Sequence, residues 1–196
     1  MKITTTVLNR QLLCAALAAF GLSQTTFAGE PTAFDLIKEG NRYVGEDVKD
    51  KVLQIRSEKS IGSLTPNIWV VVYYDSDASA KTTEVKFGAG QKLEVKRPGR
   101  APWDIPHADK VMDQGKLNTD SDKAIKTATK EPLLDKLTLK ATQLRLEKTP
   151  DGTVWKVRVW AAKIKKPDQD VDIGEVVISA ETGKVIRTDL HINKVD

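Results

Sequence analysis

His107 and His191 are the only histidines among the 196 residues. A histidine serving as acid, base or metal ligand needs convergent partners. These two stand apart, one in a proline-rich stretch and one near the carboxyl end, and both read as solvent-exposed side chains without a role. Cys14 is the single cysteine. The chain holds no Gly-x-Ser-x-Gly, no His-Glu-x-x-His and no glycine loop that would cradle a phosphate, so no nucleophile has an identifiable activator. No catalytic residue and no cofactor is assigned, and the chain is expected not to be an enzyme. One run resembles a cation loop: Asp168-Gln169-Asp170-Val171-Asp172-Ile173-Gly174 alternates oxygen ligands. Its glycine falls at the seventh place instead of the sixth, and Ser179 stands at the twelfth where a bidentate glutamate belongs. Asp168, Asp170 and Asp172 are therefore a weak candidate for a divalent-cation site, set against a solvated turn between strands.

Two tryptophan-led segments carry the stronger signal. Alternation puts Trp69, Val71 and Tyr73 on one face and Ile68, Val70, Val72 and Tyr74 on the other; in the second segment Trp155, Val157 and Val159 oppose Val154, Lys156, Arg158 and Trp160. A strand apolar on both faces is normally buried on both, so the face of Val70, Val72 and Tyr74 needs a cover. The other half of the chain, the connector around Trp103 and Ile105, or an outside partner would supply it. In the last case Val70, Val72, Tyr74 and Trp103 form a groove for a peptide or protein. Lys156, Arg158 and Trp160 make a second candidate surface, cationic and aromatic.

The elements that position these residues are repeated. Gln54-Ile55-Arg56-Ser57-Glu58-Lys59, Thr65-Pro66 and Trp69 recur in the same order as Gln143-Leu144-Arg145-Leu146-Glu147-Lys148, Thr149-Pro150 and Trp155, offset by 89 residues at the glutamine and 86 at the tryptophan. Glu84-Val85-Lys86-Phe87-Gly88-Ala89-Gly90-Gln91-Lys92-Leu93 matches the stretch from Glu175 to Val185, and both read as strand, turn, strand. A short helix precedes each set of strands: Ala33 to Arg42 with Thr32 as cap, and Asp122 to Glu131 with Ser121 as cap and Pro132 as stop. Pro98 to Asn118 holds three prolines and no sustained period, and reads as a connector that must be packed or functional. The expected fold is α+β, two tandem modules, each one helix packed on a four-stranded antiparallel sheet.

Composition bounds the partners. Lys2 and Arg10, the apolar run from Leu12 to Phe20 and the exit Thr26-Phe27-Ala28 have the three parts of a secretory signal. Its removal takes two basic residues from the 31 Lys plus Arg, leaving 29 against 27 Asp plus Glu. That balance excludes a nucleic-acid binder. No later stretch reaches the ~18 apolar residues of a membrane span. The expected organisation is a signal peptide over 1–28, a first repeat over 29–100, a connector over 101–119 and a second repeat over 120–196, in a periplasmic or secreted protein.

The second half resembles the PepSY family. The resemblance rests on Ser121-Asp122-Lys123-Ala124-Ile125 opening a helix, on Trp155-Lys156-Val157-Arg158-Val159, and on the run from Gly174 to Ile186 with its Thr182-Gly183-Lys184-Val185 turn. It covers roughly residues 120 to 190. The first half shares it through likeness to the second, with Gly90-Gln91-Lys92 in place of the Thr-Gly-Lys turn. The resemblance implies PepSY/cystatin-like helix-on-sheet modules outside the cytoplasm, without catalytic residues, that bind or regulate a peptide or protein such as a peptidase. A structural envelope-associated protein and a weak divalent-cation binder are the alternatives.

Overall fold

The computed structural model describes residues 30–100 and 108–196. The expected signal segment 1–28 with Cys14, and Trp103, Ile105 and His107 of the connector, lie outside the described residues.

Helix α1 runs Ala33–Gly40. Thr32 starts it with a capping box: its hydroxyl accepts from the Asp35 amide while the Asp35 carboxylate accepts from the Thr32 amide. Ala33, Leu36, Ile37 and Gly40 turn inward. Helix α2 runs Ser121–Ala128 and buries Ser121, Ala124, Ile125 and Ala128. Here the cap differs from the expected Ser121. Asp120 is the cap, accepting from the Ser121 amide at 2.6 Å, because the Ser121 hydroxyl is engaged elsewhere, accepting the Ala33 amide at 3.0 Å. Asp120 also accepts from the Phe34 amide at 3.2 Å. Two orphan donors of α1's first turn are thus satisfied by the residues that open α2.

Eight strands follow the helices: β1 Val52–Ser57, β2 Ile68–Tyr74, β3 Thr82–Gly88, β4 Gln91–Lys96, β5 Leu139–Thr149, β6 Gly152–Ala162, β7 Asp170–Ser179 and β8 Val185–Leu190. The class is α+β, and every pairing is antiparallel. The expectation of a separate four-stranded sheet for each half is corrected. All eight strands form one sheet in the order β4-β3-β2-β1-β5-β6-β7-β8. The join is β1 to β5, with Gln54 opposite Glu147, Ile55 opposite Leu146 and Arg56 opposite Arg145. Left apart, β1 and β5 would each present an edge of unpaired amides and carbonyls, and joining them removes both edges. The loop of residues 58–67 extends the seam: Thr142 donates its amide to Ser60 Oγ at 2.9 Å and its hydroxyl to the Leu64 carbonyl at 2.6 Å.

The two helices and one face of the sheet enclose a single apolar core. Ile55, Trp69, Val71, Tyr73, Val85 and Phe87 join Leu144, Leu146, Trp155, Val157, Val159, Val176 and Ile178 in one buried cluster. One merged core buries a larger fraction of its surface than two small ones would. Trp69 donates its indole N–H to the Pro66 carbonyl at 2.9 Å, and Trp155 to that of Thr119 at 2.8 Å. Phe34 of α1 stacks on Trp155 with ring centroids 6.5 Å apart, so a helix of the first half covers an indole of the second.

The described part of the connector is packed. Met112 is buried and its amide donates to the Val52 carbonyl at 2.9 Å. The Asn118 and Thr119 amides both donate to the Ala180 carbonyl. Residues 108–119 thereby touch the start of β1 and the residue that follows β7. No helix among the described residues is long and apolar enough to cross a membrane.

Candidate functional site

Period-two alternation leaves the second face of the sheet with the side chains that do not enter the core. Among the described residues no helix packs there. Read across the strands, the ladder registers define a single row of eight residues on that face: Glu94, Lys86, Val70, Arg56, Arg145, Lys156, Val177 and Arg187, one from each strand from β4 to β8. Five of the eight are cations. At ~4.8 Å per strand the row is roughly 34 Å long.

Carboxylates in the neighbouring rows hold most of these charges. Arg56 meets Glu84 at 3.0 Å, Lys156 meets Glu147 at 2.6 Å, Lys86 meets Glu58 at 2.7 Å and Arg187 meets Glu175 at 3.3 Å. Arg158, one row over, lies 3.6 Å from Asp172. Arg145 is exposed, and among the described residues no carboxylate lies within salt-bridge reach of it. A recess of about 240 Å³ opens beside it, lined by Arg56, Arg145, Lys156, Arg158, Gln143 and Glu175.

The two candidate surfaces read from the sequence share this face. Val70 and Lys156 are in the cationic row itself. Val72 lies in the adjacent row between Gln54 and Glu84, with no exposed surface. Directly opposite it, Glu84 meets Arg56 and, at 3.8 Å, Lys96, and the stems of such long charged side chains can shield apolar surface while their heads stay wet. Val70 and Tyr74 are half-buried. Trp160 takes the Lys59 ammonium over its ring at 5.1 Å.

The aspartate run is not a turn over its whole length. Asp168 lies in the turn that precedes the strand, whereas Asp170 begins β7 and Asp172 follows on the same face. Each of the two strand aspartates meets a cation: Asp170 takes Lys59 at 2.7 Å, and Asp172 takes Arg158 while also accepting the Gly174 amide at 2.9 Å. Among the described residues no three His, Cys, Asp or Glu side chains converge as metal ligands. His191 stands exposed with Nε2 3.4 Å from Asp189. A broader recess of about 640 Å³ lies between the 58–67 loop and the start of β5, lined by Lys59, Ile61, Leu64, Leu139, Lys140 and Asp170.

Arg56 and Arg145 were missed as site residues, although the signal was present. Both occupy the third place of the recurring Gln-x-Arg segment, and the register sets them directly opposite one another. Which edges of the two strand sets would pair was not written in either segment. No protein-family model matches the chain, and no curated protein and no solved structure matches it.

Proposed function

We propose that this chain is an exported, non-enzymatic binding module of the PepSY type that captures an extended peptide or a protein segment, in the manner of a peptidase inhibitor or regulator. Its two halves are copies of one helix-and-four-strand unit, fused through β1 and β5. The observation that carries this reading is the pair of outer strands. Among the described residues, no backbone hydrogen bond reaches the outer edge of β4 or β8. Every residue of β4 is exposed, Leu93 by 57% and Val95 by 41%, and Ile186 of β8 by 47%. An unpaired edge bordered by apolar side chains suits strand addition, in which main-chain hydrogen bonds supply affinity and alternate side chains supply selectivity.

Amide hydrogen exchange on the chain without residues 1–28, with and without an array of ten-residue peptides, tests the proposal. Binding by strand addition slows exchange in β4 or β8 and leaves the interior strands unchanged. A chain that binds no peptide in the array and leaves the rate of every exported peptidase tried unaltered removes it.

A further inference from the structure

We propose that the recess lined by Arg56, Arg145, Lys156 and Arg158 receives a carboxylate of the partner, so that the segment this chain binds is acidic. This rests on the reading of the chain as a peptide- or protein-binding module, and it adds a second contact, on the sheet face over β1, β5 and β6 and apart from the edges of β4 and β8.

The argument begins with register. Arg56 faces Arg145 across β1 and β5, and Arg145 faces Lys156 across β5 and β6. Three cations in directly opposed positions repel one another, which disfavours the sheet. In the first half the repulsion is relieved: Arg56 holds Glu84 at 3.0 Å. The corresponding residues of the second half are Arg145 and Glu175. There the pairing is not made, because Glu175 is taken by Arg187 at 3.3 Å. In addition, the place that Val72 holds in the first half is held by Arg158 in the second. The second half thus gains a cation and loses the carboxylate that would neutralise Arg145.

The remaining cations of the recess are bound from its outer sides. Glu147 draws Lys156 toward the neighbouring row on one side, and Asp172 draws Arg158 the opposite way along the strands. Four cations line the space against one carboxylate already in use. A guanidinium offers a planar fork of donors that matches a carboxylate in bidentate fashion, and Gln143 supplies a neutral amide at the rim. About 240 Å³ is room for the end of a glutamate or aspartate side chain rather than a large ligand. Val70 and Val177 interrupt the row on either side, and Lys86 and Arg187 continue it. An acidic segment crossing the strands would find a further cation at each end.

The test measures binding of an octaglutamate peptide to the chain without residues 1–28 by isothermal titration at low and at moderate salt. It uses the wild type, Arg145→Gln and Arg145→Glu. Both variants should fold, since the side chain is exposed and its loss relieves repulsion; unchanged circular dichroism and melting temperature check this, and Lys156→Gln serves as a second variant at the same recess. The expected result is an octaglutamate affinity that falls about tenfold or more in Arg145→Gln, is lost in Arg145→Glu, and weakens with salt. If octaglutamate binds all variants equally, the recess is not the site and the inference fails while peptide binding stands. If uncharged peptides bind and octaglutamate does not, the same holds. If inorganic phosphate alone binds with the same dependence on Arg145 and octaglutamate does not, the acidic-segment form is overturned. If no peptide of any charge binds, both readings fall.

Discussion

The two halves of the sheet solve the same packing problem with different side chains, and the difference shows which contacts hold each helix. In the first half Tyr73 lies fully buried and donates its hydroxyl to the Ile37 carbonyl of α1 at 3.0 Å. Burial, with the nearby Asp50 charge, pushes the phenol pKa well above its ordinary value, so it stays a donor at any physiological pH. Helix α1 ends at Gly40, where a Cβ would collide with that hydroxyl. In the second half the matching strand position is Val159 and the matching end of the helix is Ala128, both fully buried. A large side chain faces glycine in one half, and a smaller one goes with alanine in the other. At its carboxyl end the first helix is fastened by a polar latch, where the second has an apolar contact.

The largest expected effect concerns the indoles. Trp155 carries the Phe34 ring as well as its own burial, whereas Trp69 has no such partner from the other half among the described residues. Trp155→Ala should cost about 3–5 kcal/mol in urea unfolding, and Trp69→Ala less. A double-mutant cycle with Phe34→Ala should return a coupling of about 0.5–1.5 kcal/mol for Trp155 and none for Trp69. Equal costs at the two tryptophans, with no coupling to Phe34, would mean that the halves are not interlocked through α1.

Both helices, the order of strands within each half and the inward face of each tryptophan strand were legible in the chain, because capping residues and period-two alternation are local signals. Ser121 was misjudged as a cap for a non-local reason: its hydroxyl serves Ala33, far away in sequence. The single sheet was not legible either. Alternation fixes which face of β1 is apolar but says nothing about which of its edges will pair. The candidate site divides in the same way. Lys156, Arg158 and Val70 could be assigned to outward faces from spacing, but placing them on one face with Arg56 and Arg145 needed the β1 to β5 register.

An intermediate effect should appear at the helix ends. Gly40→Ala adds a methyl where Tyr73 already sits, and overpacking of this kind costs about 1–3 kcal/mol. Combined with Tyr73→Phe, which removes the atom in the way, the same substitution should become much milder, since alanine favours a helix over glycine by up to ~1 kcal/mol. At the other end of the comparison, Ala128→Gly should cost about 1 kcal/mol with no dependence on a partner. Additive costs for Gly40→Ala and Tyr73→Phe would refute the latch.

The smallest effect separates two carboxylates by the sign of their pH dependence. Burial acts to raise the pKa of Asp75, but hydrogen bonds from the Thr83 hydroxyl at 2.6 Å and the Asp77 amide at 3.0 Å, together with Arg97 at 3.0 Å, outweigh it and leave it below its ordinary value. Asp120 goes the other way. Its burial dominates the bonds from the Ser121 and Phe34 amides, and its pKa is raised. The unfolded value for either is about 4. A lowered folded pKa means that Asp75 stabilises the native state above that pH and that the contribution is lost as pH falls through the folded value. A raised one means that Asp120 binds its proton more tightly when folded, so stability declines as pH rises from about 4 through its folded value. Unfolding free energies between pH 3 and 7 should therefore show wild type losing ground to Asp75→Asn on acidification and gaining ground on Asp120→Asn. Shifts of the same sign for both variants would show that Asp120 where the helices meet is governed by its hydrogen bonds, as Asp75 is, and not by its burial.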